Sequence, residues 1–144
     1  MLPIAPIVDR LRDRCPGLAA VYGASDLERA RNGSAIYPAA FVIPSGESAA
    51  GDRLSHSAVR QQVTAGVLVL LGHRDVSDAR GEAARVGVDE LRQQIRTALL
   101  GFVPAEDLMP LVFTGADFVT YSDGVLWIQD EFATAYHITA NAGA

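Results

Sequence analysis

Ile4, Ile7, Val8 and Leu11 recur at i, i+3, i+4 and i+7, while Asp9, Arg10, Arg12 and Asp13 fill the positions between them. That period predicts an amphipathic helix, with Pro3 or Pro6 tolerated in its first turn and Pro16-Gly17 ending it. Leu18 to Tyr22 then reads as a short strand. Ser25-Asp26-Leu27-Glu28 has the spacing of a capping box, which predicts a short helix to about Arg31, stopped by Asn32-Gly33. Ala39-Ala40-Phe41-Val42-Ile43 is an apolar strand bracketed by Pro38 and Pro44. Ser45 to Asp52, rich in Gly, Ser and Ala, reads as a loop.

Strict alternation resumes from Ser57 to Gly72. Val59, Val63, Ala65, Val67, Val69 and Leu71 share one face, opposite Arg60, Gln62 and Thr64. From Gly66 onward Leu68 and Leu70 make the second face apolar as well. A strand of this length spans about 50 Å at 3.3 Å per residue, which is long enough to outrun its own sheet. A helix is predicted from Ser77 to Leu100, where Ala84, Val88, Leu91, Ile95 and Ala98 form one stripe, and Gly81 and Gly87 weaken its start. Leu108 to Thr139 is strand-like, with Asp123-Gly124 as a two-residue hairpin turn. The order α, β, short α, β, β, long α, β, β predicts one α+β domain over residues 1–144. Its sheet is expected to be mostly antiparallel, with the two main helices packed on one face.

Composition narrows the functions open to such a domain. The chain has 144 residues, 49% hydrophobic and 20% charged, with a net charge of −5; all its basic residues other than histidine are arginines. Phosphate binding calls for a cationic surface, and the one cluster, Arg10, Arg12 and Arg14, is interleaved with Asp9 and Asp13, so no specific nucleic-acid binding is expected. The longest apolar run, Val67 to Leu71, is far short of the roughly 20 residues that cross a bilayer. The first residues lack the pattern of a secretory signal, and Cys15 has no partner for a disulfide, so a cytoplasmic, membrane-free setting is expected. His73 with Asp75 and Asp78 could in principle hold a metal, but Asp75, Ser77 and Asp78 are also what a helix start wants. His56 and His137 have no ligand at metal spacing. Cys15 reads as a packed thiol. No nucleophile elbow, phosphate loop or dinucleotide fingerprint is present, so no catalytic, cofactor or metal residue is expected.

What the pattern leaves over is apolar surface. Pairing Ser122 with Val125 places Tyr121 opposite Leu126, Thr120 opposite Trp127, Val119 opposite Ile128 and Phe118 opposite Gln129. Val119, Tyr121, Leu126 and Ile128 then share the helix-covered side. Phe118 and Trp127 lie diagonally on the other side, beside Thr120 and Gln129. A sheet covered on one face should be polar on the other, so Phe118, Trp127, Thr120 and Gln129 are candidate contact residues, together with Arg60 and Gln62 on the long strand. A loop such as Ser45 to Asp52 folded over the aromatics is the competing explanation.

Read in order, the chain has an N-terminal amphipathic helix, the strand Tyr37-Pro38-Ala39-Ala40-Phe41-Val42-Ile43-Pro44, and Gln61-Gln62-Val63-Thr64-Ala65-Gly66-Val67-Leu68-Val69. Asp78-Ala79-Arg80-Gly81 follows, opening a helix that contains Leu91-Arg92 and closes on Ala98-Leu99-Leu100-Gly101-Phe102-Val103-Pro104, and then a glycine-tipped hairpin with Leu126-Trp127 and Phe132. From Ile4 to Ile138 this arrangement resembles the tail terminator (tail completion) proteins of long-tailed bacteriophages and prophages. The resemblance implies an α+β fold without enzymatic activity and without cofactors. It also implies a virion protein assembled in the bacterial host cytoplasm as a hexameric ring at the head-proximal end of the tail. Such a ring ends tube polymerisation and joins the tail to the head, so the expected partners are further copies of the chain, a tail-tube protein and a head-completion or connector protein. It carries no catalytic residue. The rival readings are another head–tail connector and a ligand-binding or metal-dependent domain using His73, Asp75 and Asp78.

Overall fold

The computed structural model describes residues 1–50, 53–55, 58–74 and 82–141. The helix predicted at the start is α1 (Ala5–Arg14), which buries Ile7, Val8 and Leu11 and places Arg12 and Arg14 in its last turn, where positive charge suits the helix dipole. Strand β1 (Ala20–Gly23) leads through a 3-10 turn (Ala24–Asp26) to α2 (Glu28–Arg31). The expected capping box does not form. Neither segment has a side-chain cap, and the Asp26 carboxylate instead accepts from Arg29 Nε at 3.4 Å.

A cis Tyr37-Pro38 bond precedes β2 (Ala39–Ala49). This strand runs six residues past its apolar core, so Ser45 to Ala49 is strand and not loop. A register shift between Pro44 and Gly46 makes the continuation possible, with Gly46 at φ 113°, a region open to glycine. Polar composition suggested a turn, but backbone pairing with the neighbouring strand prevails. The rest of the order is β3 (Arg53–Ser55), β4 (Ala58–Arg74), α3 (Glu82–Leu99), β5 (Val112–Ser122) and β6 (Val125–Asn141). The start expected for the long helix lies outside the described residues.

The chain is therefore α+β, with a six-stranded sheet ordered β1-β2-β4-β6-β5 and β3 beside β4. Every pairing is antiparallel except β1 with β2. The hairpin turn has Asp123 at φ 52° and Gly124 at φ 78°, the positive values that a two-residue turn matching strand twist requires. One hydrophobic cluster joins Ile7, Val8 and Leu11 of α1 and Val88, Leu91, Ile95, Ala98 and Leu99 of α3 to Ala65, Val67, Val69 and Leu71 of β4 and to Phe132 of β6. These β4 residues are the odd-numbered set that alternation assigned to one face. Gly87 in α3 has a packing reason. The His73 imidazole lies where a Cβ at that position would sit, so a larger residue would collide with it.

Candidate assembly interface

The second face, carrying the odd-numbered residues of β6, is built around Trp127. Its indole lies over Gly72, where an added Cβ would come within 2.7 Å of Cζ3. The Tyr37 ring meets it edge-on at 5.7 Å and Phe41 lies 6.0 Å away, while Tyr22 stacks on Phe41 at 5.0 Å. Two guanidiniums sit over the outer rings, Arg29 over Tyr22 at 5.5 Å and Arg74 over Tyr37 at 5.2 Å. The Ile36 N–H donates to Tyr22 Oη at 3.2 Å, tying the segment before β2 to this cluster. Phe41 is 0% exposed as a result, although no helix residue belongs to its ring contacts. The cover comes from Tyr22 and Trp127, with Tyr37 against the indole, and not from Ser45 to Asp52, whose described part pairs with the far half of β4.

Phe118 is not beside Trp127. Thr120 pairs with Trp127 as expected, but the ladder shifts between Phe118 and Thr120, and Phe118 comes opposite Ile128. One extra residue at 119 inverts every facing beyond it. Phe118 therefore lies on the α3 side, 62% exposed, at a groove of about 300 Å³ lined by Val88, Asp89, Phe118, Leu126 and Ile128. Thr120 and Gln129 share the second face with Trp127. Gln62 and Arg60 share it too, but Gln62 pairs with His137 and lies ten residues along β4 from Gly72, about 33 Å away. The six candidates thus occupy three places.

Two features were missed from the sequence. Asp130, 2% exposed, accepts from Arg92 Nε at 3.1 Å and Nη2 at 2.8 Å, with Arg96 Nη2 at 3.7 Å. That hydrogen bond raises the Arg92 pKa further and ties α3 to β6. Alternation alone could have found it, since Asp130 stands between Ile128 and Phe132 on the core face. The second is a run of exposed apolar side chains, Leu100, Val103, Met109, Val112 and Phe113, where α3 turns back into β5. The Arg96 guanidinium covers the Phe113 ring at 4.4 Å.

No His, Cys, Asp and Glu group among the described residues could hold a metal. Asp75, Asp78 and His56 lie outside those residues. Cys15 is 2% exposed, and burial pushes its thiol up to about 11, away from the thiolate that nucleophilic chemistry needs. Among the described residues no helix is long and apolar enough to cross a membrane.

Fold and surface together define an α+β protein with exposed apolar side chains at Phe118 and along the turn from α3 into β5. The pattern of the phage tail terminator protein family matches residues 1–142, and the chain belongs to that family, a structural component of the phage virion. A chain in the solved "Virion of native gene transfer agent (GTA) particle" has a similar fold, with a TM-score of 0.58 and 17% identity over 95% of this chain and 96% of that one. No curated protein matches the sequence.

Proposed function

We propose that this chain acts as one domain over residues 1–144 and caps the phage tail tube as a ring of six copies. The ring ends tube polymerisation at the head-proximal end and offers the surface on which head and tail join. The observation that carries this reading is the family match across residues 1–142. Its partners are other copies of the chain, the tail-tube protein and a head-completion or connector protein, met in the host cytoplasm during assembly. The two longer helices cover one face of the sheet. Contacts then fall on the opposite face at Trp127, Thr120 and Gln129, on the far end of β4 at Arg60 and Gln62, and on Phe118 beside α3. A net charge of −5 keeps the ring from holding DNA that passes through it.

The test is the mass of the particle in solution, alone and with the tail-tube protein, together with the length of tubes grown in its presence. Six copies per particle and tubes that stop growing are expected. Tubes of unchanged length, with the chain monomeric under both conditions, would overturn the proposal.

A further inference from the structure

β4 and β6 pair over their whole lengths, from Ala58 with Asn141 to Arg74 with Val125. Their neighbours stop earlier. β2 leaves β4 at Ala49 opposite Val63, and β5 leaves β6 at Val112 opposite Ala133. Beyond these points the ribbon carries β3 along β4, while among the described residues no strand lies along the outer side of residues 137–141.

The direction of the main-chain groups there follows from one hydrogen bond. Ala135 O accepts from Met109 N at 3.0 Å, so Ala135 points its polar groups away from β4. In an antiparallel ladder alternate residues point the same way, and no register shift interrupts β4 with β6. His137, Thr139 and Asn141 therefore turn their N–H and C=O groups outward. Ile138 and Ala140 turn theirs toward β4.

Natural edges are usually guarded by lysine, proline, bulges or shortness. β5 is shifted twice, and β1 has four residues, with Arg12 Nη2 already on Val21 O at 2.8 Å. Residues 137–141 contain no proline, no lysine and no bulge.

Resting on the ring reading above, we infer that this edge of β6 pairs through main-chain hydrogen bonds with a strand of a second copy of the chain. Two observations favour a second copy. The arm offers β6 on one rim and β3 on the other, and a closing ring joins unlike surfaces. Residues 58–62 and 137–141 contain no acid and carry the exposed Arg60, so at this arm one copy of net charge −5 can approach another without placing like charges together.

A proline scan tests this by parity. Thr139→Pro removes an outward N–H and leaves the β4 ladder intact. It should give a folded subunit with a melting temperature close to that of the wild type, sedimenting as a monomer. Ala140→Pro removes an N–H directed at β4 and should lower the melting temperature. If Thr139→Pro retains the ring mass of the wild type, the edge is not the interface, although the ring reading stands. If the wild type itself forms no ring, alone or with the tail-tube protein, both fall. Should Thr139→Pro fail to fold, hydrogen exchange of the wild type decides. Amides of the segment spanning His137 and Thr139 slow on association if the edge is used, and exchange at the monomer rate if it is not.

Discussion

Phe118 and Trp127 show how differently two aromatics of one hairpin are used. Trp127 seals Phe41 together with Tyr22, so Trp127→Ala should cost the subunit about 2–3 kcal/mol, below the range for a fully buried aromatic because the indole is only half-buried. Leu126→Ala, in the main core, should cost about 2–5 kcal/mol. Phe118→Ala should change stability by no more than about 0.5 kcal/mol, and any effect should fall on association. Urea melts and sizing of the three variants check this, and a large stability loss in Phe118→Ala would show that the ring is packed. Cys15 makes a separate prediction. Its folded thiol ionises near 11 and an ordinary one near 9, so its contribution is complete below pH 9 and is lost as pH rises through 11. The stability gap between wild type and Cys15→Ala should narrow across that window. At pH 8 the folded protein should react with a thiol reagent far more slowly than the urea-unfolded chain.

Among the elements, α3 and β4 meet at Gly87 and His73. Glycine within a helix is usually worse than alanine by about 1 kcal/mol, so Gly87→Ala would ordinarily stabilise. Here the imidazole occupies the place of the new methyl, and the expected sign is reversed. Gly87→Ala should lower the melting temperature, and His73→Ala in the same chain should recover part of the loss. If Gly87→Ala raises the melting temperature instead, the imidazole moves aside at little cost. The Asp130 pair with Arg92 holds the same helix to β6 from its middle, adding a charged contact to the packing of Val88, Leu91, Ile95, Ala98 and Leu99 in the core.

For the whole molecule, the far end of the β4–β6 ribbon is basic in an acidic chain. Arg60→Glu should therefore weaken association without moving the melting temperature, since Arg60 is exposed and distant from the main core. Added salt should reduce the difference between this variant and the wild type. Unchanged particle mass at low salt would remove charge from the account of assembly and leave the backbone edge to act alone.

Much of this was legible in the sequence because it is local. Apolar spacing in α1, alternation in β4 and the Asp123-Gly124 turn each depend on residues a few positions apart, and the structure has all three where the spacing puts them. Other features depend on partners distant in sequence. The cover of Phe41 comes from Tyr22 and Trp127, and the partner of Asp130 is Arg92 on a helix 38 residues earlier. Above all, the extra residues at Ser45 and Val119 are placed by ladders formed across the sheet. Alternation has a period of two, so one inserted residue reverses every assignment beyond it, and at Val119, unlike Ser45 beside Gly46, no glycine or proline in the local sequence marks where the ladder absorbs it. Phe118 changed faces for that reason, while Trp127, on the near side of the bulge, did not.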